Sequence, residues 1–344
     1  MKIVKVAMLG FGNAGQAFAQ MVLDKEEEIQ EKYNCQVLIT AIATKSKGCL
    51  MNSQGIDMRK ALNDVAENNR FDQNTPGYGQ FENLTLIQEA DYDVICELTP
   101  LNIETGQPAI NHIKAAFSRG KHVITANKGP IAWAYKELKD MAEDKNLMFF
   151  YETTVMDGTP IFNLVEHTLK LCQVQEVEGI LNSTTNFILE EMAKGRDHDE
   201  IMKEGRERGF IEADPAMDIE GYDAAAKTTA LLNVLMDANI TPKDVDRRGI
   251  ENITMEDIQK ADSMNKVIKL LCRGYKENGE IKAQVSPVEV DKSNILASVD
   301  STTSLVSITT DLMGKITVVE HAPEIEQTAY GVFGDLLRVI EGLR

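Results

Sequence analysis

The strongest constraint on the fold of this chain is a glycine-rich turn close to its start. Gly10, Gly12 and Gly15 stand in G-x-G-x-x-G spacing directly after an apolar run over residues 3–9, and apolar residues at helical spacing follow them. A strand that turns through glycines into a helix directs backbone N–H groups and the positive helix end at one point, where a pyrophosphate fits. We therefore predict a dinucleotide-binding loop; an ordinary turn between strand and helix is the alternative.

The composition restricts the class of protein. A length of 344 residues suggests two domains, and a net charge of −18 repels nucleic acid and anionic membranes. The five cysteines are scattered and form no C-x-x-C pair, which argues against a disulfide framework and a zinc site. The chain has no apolar run of about 18 residues and no signal-peptide pattern. We expect a cytoplasmic protein that binds neither membrane nor nucleic acid.

Strands and helices alternate along the first half of the chain. Apolar runs predict strands over residues 36–44, 92–98, 122–126 and 147–151, and a helix is predicted over 104–120 with Thr105 as its N-cap candidate. Alternation of this kind predicts a parallel sheet whose ligands bind beyond the carboxyl ends of the strands. The second half predicts a more antiparallel sheet, with strands over residues 174–183, 281–290, 304–311 and 315–321 and helices over 221–239 and 328–343.

The turn after the second predicted strand bears on the choice of dinucleotide. Proteins that prefer NAD usually place an acid there for the ribose hydroxyls. This chain has Thr44, Lys45, Ser46 and Lys47 instead, and two lysines with a serine suit a 2′-phosphate. The pattern favours NADP, while a solvated basic turn, which leaves NAD open, is the alternative.

Several polar residues lie where chemistry could occur. Lys128 follows a buried strand, where its ammonium could bind a carboxylate or donate a proton, or could simply be solvated. Asp223 and Lys227 are four residues apart and share one helix face, as a surface ion pair or as part of a pocket for an ammonium group. Asn182, Ser183 and Thr184 stand at a strand-to-helix junction, where they could cap the helix or bind a ligand, and capping is the simpler interpretation.

Six segments together resemble the homoserine dehydrogenase family. They are GFGNAGQAFA, ELTPLNIETGQPA, VITANKGPIA, GILNSTTNFIL, IEADPAMDIEGYDAAAK and ILASVDSTTSLVSI, and they occur in that family's order along nearly the whole chain. The resemblance is to the short form, without an appended ACT domain. It implies reversible NAD(P)-dependent reduction of L-aspartate 4-semialdehyde to L-homoserine, a step toward threonine, methionine and isoleucine. It also implies a homodimer.

The resemblance also implies roles for individual residues. Lys227 and Lys128 match the two active-site lysines, and we expect Lys227 to be the proton donor. The residues that match substrate-binding positions are Glu212, Asp218, Asp223, Ser183 and Thr184. The expected cofactor-binding residues are Gly10, Gly12, Asn13, Ala14, Gly15, Lys45, Thr99 and Lys128. Glu152 and Val155 match positions around a monovalent cation, Na⁺ or K⁺.

The predicted fold class is α/β, a Rossmann-type doubly wound parallel sheet with a second α+β domain for catalysis and dimerisation. We expect residues 1–150 plus 323–344 to bind NAD(P), and residues 151–322 to bind substrate and form the dimer.

The sequence departs from the family pattern at three places. Ser183 replaces a glycine, the segment over residues 321–333 lacks Gly-x-Gly-Ala, and Met156-Asp157 stands where small residues are commoner. The first two departures support one alternative, a related reductase of another amino-acid aldehyde. A further alternative is a dinucleotide-binding sensor without turnover.

Overall fold

The structure of the protein, a computed structural model, describes residues 1–207, 211 and 215–343. The chain forms two compact units, and the first is built from both ends of the sequence. It comprises Met1–Pro160 together with Glu324–Arg344, whereas the second comprises Ile161–Pro323. Each unit has its own sheet.

The sheet of the first unit is parallel at its centre, because its strands are buried runs separated by helices. The strand order is β4-β3-β2-β1-β5-β6-β7, in which the pairs β2–β3 and β3–β4 are antiparallel and the remaining pairs are parallel. The strands are β1 (Lys2–Leu9), β2 (Cys35–Ala43), β3 (Cys49–Met51), β4 (Tyr78–Gly79), β5 (Val94–Glu97), β6 (His122–Thr125) and β7 (Phe149–Phe150). The carboxyl ends of β1, β5 and β6 therefore lie side by side, which confirms the predicted Rossmann-type sheet.

The sheet of the second unit is mostly antiparallel, as predicted. Its order is β13-β12-β8-β10-β11-β9, and only β9 and β11 pair in parallel. The strands are β8 (Val174–Ile180), β9 (Asp246–Arg247), β10 (Lys266–Glu277), β11 (Glu280–Asp291), β12 (Ser304–Thr310) and β13 (Gly314–Glu320).

The helices cover the faces of these sheets. In chain order they are α1 (Asn13–Asp24), α2 (Glu26–Tyr33), α3 (Met58–Asn68), α4 (Asn83–Glu89), α5 (Ala109–Ser118), α6 (Lys128–Glu143), α7 (Ile161–Thr168), α8 (Ser183–Ala193), α9 (His198–Glu207), α10 (Ala216–Ile219), α11 (Tyr222–Met236), α12 (Met255–Ser263) and α13 (Ile325–Gly342). Within the described part of the chain, none of these helices has the length and apolar character that a membrane span requires.

The last helix, α13, returns to the first unit and completes its core. Val332, Leu336 and Val339 of α13 pack in the same apolar cluster as Phe18 and Val22 of α1. The fully buried Asp335 accepts a hydrogen bond from the backbone N–H of Glu152 at 3.0 Å, and burial raises the pKa of Asp335 to about 7. The contact ties α13 to the turn that follows β7.

Helix α5 and strand β10 differ from the expectation drawn from the sequence. Helix α5 begins at Ala109 rather than near Thr105, because Gly106 has a positive φ of 67° and Pro108 follows it. Strand β10 has no counterpart among the predicted strands, since its lysines and arginine interrupt the apolar pattern. One of these charges, Lys269, is only 5% exposed and donates to Asn186 Oδ1 at 2.7 Å.

Candidate active site

The glycine-rich loop connects β1 to α1 at the carboxyl edge of the first sheet. Gly10 has φ of +98°, and a Cβ on it would lie 2.5 Å from the carbonyl oxygen of Leu98. Gly12 is the N-cap of α1 and makes no side-chain capping hydrogen bond, and a Cβ on Gly12 would meet nothing within 4 Å. The first-turn N–H groups, which begin at Asn13 and Ala14, have no partner within their own helix. The loop therefore offers the donors and the open space that a pyrophosphate needs.

The turn after β2 is stabilised by hydrogen bonds to the side chain of Thr44. Thr44 Oγ1 donates to the carbonyl of Gly48 at 2.8 Å and accepts from the backbone N–H of Lys47 at 2.8 Å. Lys45 is exposed and Lys47 is half-buried. The backbone N–H of Phe71 donates to the carbonyl of Lys47 at 2.9 Å. Both ammonium groups thus stand on a turn of defined backbone shape.

The ends of β5 and β6 bring Thr99 and Lys128 into one network. Asn127 Nδ2 donates to the carbonyl of Thr99 at 3.1 Å, and Asn127 Oδ1 accepts from the N–H of Gly129 at 3.0 Å. Asn127 therefore caps α6, whose first residue is the half-buried Lys128. The cap sets where the backbone of Lys128 lies relative to the loop after β5.

The candidate cation residues follow β7 in a short 3-10 helix. Glu152 begins this helix, which spans Glu152–Thr154, and both Glu152 and Val155 are buried at 4% exposure. Among the described residues, no three or more His, Cys, Asp or Glu side chains are grouped as a metal site would require. A cation at Glu152 would take backbone carbonyls as further ligands.

In the second unit, Asn182 hydrogen-bonds two acids that lie far from it in the sequence. Its Nδ2 donates to Asp218 Oδ1 at 2.6 Å and to Asp223 Oδ2 at 3.1 Å. Its Oδ1 accepts from the N–H of Thr185 at 2.9 Å and so caps α8. One side chain therefore fixes a helix start and holds two carboxylates together.

Lys227 completes this cluster from one turn further along α11. Its Nζ lies 3.3 Å from Asp223 Oδ2 and donates to the carbonyl of Leu181 at 2.8 Å. The side chains of Lys227 and Asp223 are 19% and 15% exposed. Among the described residues of this cluster, two carboxylates accompany one ammonium, and this excess of negative charge suits a ligand that carries a cationic group.

Burial affects the acids of this cluster. The pKa of the Asp218 carboxyl is raised, first because burial penalises its charged form and also because Asp223 is close, while the hydrogen bond from Asn182 opposes the shift. A positive ligand beside Asp218 would favour its ionised form, and binding of such a ligand is therefore linked to pH.

The other predicted substrate residues are placed as follows. Ser183 and Thr184 are the first residues of α8; Ser183 is half-buried, and the buried Thr184 hydrogen-bonds Asp218. Glu212 lies outside the described residues. The predicted cofactor residues and Lys128 belong to the first unit, whereas Lys227 and the acids belong to the second.

Sequence reasoning assigned Asn182 to helix capping and missed its link to the acids. Asn182 stands directly before a segment rich in hydroxyl residues, and this position indicated a helix cap. The structure shows that Asn182 does cap α8. The contact with Asp218 and Asp223 depends on how α8, α10 and α11 pack, and no spacing in the sequence reports it.

Comparison with protein families gives two adjoining matches. Residues 10–152 match the model described as "Homoserine dehydrogenase, NAD binding domain". Residues 160–337 match the model described as "Homoserine dehydrogenase". The boundary between the two matches falls close to the boundary between the two structural units.

Individual proteins extend this likeness over the whole chain. The homoserine dehydrogenase of Methanocaldococcus jannaschii is 37% identical over 97% of this chain and 98% of its own length. A Pseudomonas canavaninivorans protein named NAD(+)-dependent homoserine dehydrogenase is 34% identical, covering 97% of this chain and 96% of its own. The crystal structure of a putative homoserine dehydrogenase from Archaeoglobus fulgidus superposes with a TM-score of 0.86 at 32% identity, over 98% of this chain and 99% of the other.

Proposed function

Because this chain belongs to the homoserine dehydrogenase family, we propose that Lys227, Lys128 and the acids joined by Asn182 perform its reaction. The protein is an NAD(P)-dependent oxidoreductase of amino-acid biosynthesis, and its activity interconverts L-aspartate 4-semialdehyde and L-homoserine. The observation that carries the residue assignment is the cluster of Asp218, Asp223 and Lys227 around Asn182.

The cofactor fits the first unit. The open N-terminus of α1 at Gly12 would hold the pyrophosphate, and Thr99 and Lys128 stand at the carboxyl ends of the neighbouring strands. When bound, the nicotinamide ring supplies or accepts the hydride at the carbon that carries the substrate oxygen. The chain's own residues bind the substrate and transfer the proton.

The substrate is an amino acid, so it carries an α-ammonium and an α-carboxylate beside the reacting group. Asp218 and Asp223 attract the ammonium, and Glu212, which lies outside the described residues, is a further substrate-binding acid implied by the family resemblance. During reduction the aldehyde oxygen gains negative charge, which the ammonium of Lys227 stabilises before its Nζ donates a proton to the alkoxide. Lys128 is the partner of Lys227 and helps to position the substrate. In the oxidative direction, Lys227 receives the hydroxyl proton of homoserine.

Asp218→Asn is expected to raise the KM for L-homoserine by about 10- to 100-fold, because a charge-assisted contact with the ammonium is weakened. In the wild type, that KM should rise on acidification, starting at a higher pH than an ordinary aspartate would impose, because the pKa of Asp218 is raised. Initial rates of homoserine oxidation, followed by absorbance of the reduced cofactor from mildly acidic to alkaline pH, test both expectations.

The matched control is Asp262→Asn, which removes an exposed carboxylate paired with Lys292 in the same unit. This variant should keep the wild-type KM for homoserine, and both variants should keep the KM for the dinucleotide. An unchanged homoserine KM in Asp218→Asn would contradict the proposed pocket.

We propose NADP as the preferred dinucleotide, on the strength of Lys45 and Lys47 and the absence of an acid over residues 44–47. Replacing both lysines with alanine should lower the ratio of kcat/KM for NADP⁺ to that for NAD⁺ by about tenfold or more, because each ammonium would bind the 2′-phosphate. Lys25→Ala, which removes a surface lysine paired with Glu28, is the control. Equal ratios in wild type and double variant would rule out the lysines as the 2′-phosphate site, and a wild-type ratio below one would argue for NAD, the cofactor named for the Pseudomonas relative.

We propose three further properties of the protein. A homodimer is supported by the exposed Leu312 and Met313 in the turn between β12 and β13, at the edge of the second sheet. A monovalent cation at Glu152 and Val155 is supported by the buried Glu152. A cytoplasmic location is supported by the cysteines, which all lie within the described residues and are free thiols.

A further inference from the structure

A buried glutamate and a buried histidine meet at the carboxyl edge of the first sheet. Glu97 is the last residue of β5 and is 1% exposed, and His112 of α5 is 4% exposed. Their atoms Oε1 and Nδ1 lie 3.3 Å apart. His112 Nε2 lies 3.4 Å from Asn83 Nδ2 on its other side. The reaction described above uses neither residue.

The position of Glu97 in the sheet is central. It pairs with Leu9, the residue before Gly10, on one side and with Thr125 on the other. Buried polar side chains at the carboxyl ends of such strands lie where ligands bind in open α/β sheets. A carboxylate there costs free energy unless its oxygens are satisfied.

The two oxygens of Glu97 differ. Oε1 accepts from the hydroxyl of Thr99 and faces His112. Oε2 is buried and has no hydrogen-bond partner among the residues that the structure describes. An apolar side chain would avoid the cost of that oxygen, and replacing a buried polar pair by apolar residues is often neutral or stabilising. Stability alone is therefore a weak reason for this pair.

Thr99 connects the pair to the proposed active site. Its hydroxyl is held by Glu97, and its carbonyl accepts from Asn127, the cap of α6. The next residue after that cap is Lys128. The loop after β5 also touches α6 directly, since a Cβ on Gly129 would lie 2.9 Å from the Cα of Gly106. A shift of Thr99 would therefore move the start of α6.

We propose that Glu97 and His112 are positioning residues for the reaction. His112 orients the carboxylate, the carboxylate orients Thr99, and Thr99 fixes Asn127 and with it Lys128. This inference rests on the proposed roles of Thr99 and Lys128. It predicts a loss of rate without loss of fold, because displacement of reacting groups by about 1 Å can cost about 10²-fold in rate.

Two substitutions at His112 distinguish the contributions of the two ring nitrogens, Nδ1 and Nε2. His112→Asn keeps a side-chain amide near the position of Nδ1, where it can donate to Glu97. His112→Gln keeps an amide near the position of Nε2, which faces Asn83, and loses the contact with Glu97. We expect His112→Gln to lower kcat by roughly tenfold or more, and His112→Asn to stay within about threefold of the wild type. His112→Asn should retain the wild-type Kd for NADPH within about threefold, whereas His112→Gln should also weaken NADPH binding, because Thr99 and Lys128 are proposed cofactor residues.

Glu97→Gln and Glu97→Leu repeat the test from the other partner. The amide oxygen of Gln can still accept from Thr99, so kcat should stay near the wild-type value, whereas Leu should lower it by about 10²-fold. Ile113→Val, which removes one methyl from a buried neighbour of His112 on α5, controls for loosened packing and should leave kcat unchanged. Thermal unfolding shows which variants fold; should Glu97→Leu fail to fold, the His112 pair decides the outcome.

Equal kcat values in His112→Gln and His112→Asn, or a loss of stability with kcat intact in both Glu97 variants, would overturn the proposal. Lys128→Ala separates this failure from failure of the assigned site. If Lys128→Ala loses activity while the His112 and Glu97 variants keep it, only the positioning role is wrong. If Lys128→Ala keeps full activity, the site on which the inference rests is wrong.

Discussion

Lys227→Ala is expected to lower kcat for homoserine oxidation by about 10²–10⁴-fold, the usual effect of removing a positioned acid or base. The structure places the Lys227 ammonium between Asp223 and the carbonyl of Leu181, and Asn182 joins Asp223 to the second carboxylate, Asp218. Affinity for NADPH should be unchanged, since the proposed cofactor residues belong to the other unit. Steady-state rates and a fluorescence titration with NADPH measure the two quantities separately.

The control for Lys227 is a second lysine with the same kind of local pairing. Lys194, the residue that follows α8, lies 2.7 Å from Glu190, four residues earlier, and 2.6 Å from Glu191, and it belongs to the same unit. Lys194→Ala should retain the wild-type kcat, because this pair is a surface feature. A Lys227→Ala enzyme with wild-type turnover would rule out Lys227 as the proton donor and make Lys128 the first candidate.

Gly10→Ala is expected to destabilise the first unit by about 2–5 kcal/mol, from a disfavoured positive φ and a steric overlap. The Cβ would lie 2.5 Å from the carbonyl oxygen of Leu98, and Leu98 belongs to a neighbouring part of the same sheet edge. The backbone must therefore move at the point where the loop meets the proposed pyrophosphate. Thermal or urea unfolding reports the loss of stability, and NADPH titration reports the loss of binding.

Two other glycines serve as controls for this substitution. A Cβ on Gly12 meets nothing within 4 Å, so Gly12→Ala should fold normally yet weaken NADPH binding by occupying space that the phosphate needs. A Cβ on Gly334 in α13 also meets nothing within 4 Å, and Gly334→Ala should stabilise the helix by up to about 1 kcal/mol without affecting binding. Wild-type stability in Gly10→Ala would mean that the loop tolerates a side chain there.

The glycine-rich loop and the parallel strands of the first sheet could be predicted because their causes are local, whereas the short antiparallel strands β3 and β4 were not predicted. A glycine with a positive φ, an apolar run and a helical repeat each leave a pattern within about twenty residues of sequence, a span typical of one strand, turn and helix. Strands and helices that contain a buried charged side chain were harder to predict. Strand β10 contains Lys269, whose ammonium is buried against Asn186 and Val299, and a buried lysine contradicts the pattern by which strands are recognised.

The sequence by itself determined the nucleotide loop, the class of both sheets and, through family motifs, the residues proposed for catalysis. Only the tertiary structure decided which of those residues meet. Asn182 reaches Asp218 and Asp223 across 36 and 41 positions, and Glu97 meets His112 across 15. The physical reason is that a hydrogen bond depends on distances of about 3 Å between atoms, and these distances are set by how helices and strands pack. Periodicity along the chain tells which face of an element is buried, but not which side chain lies opposite.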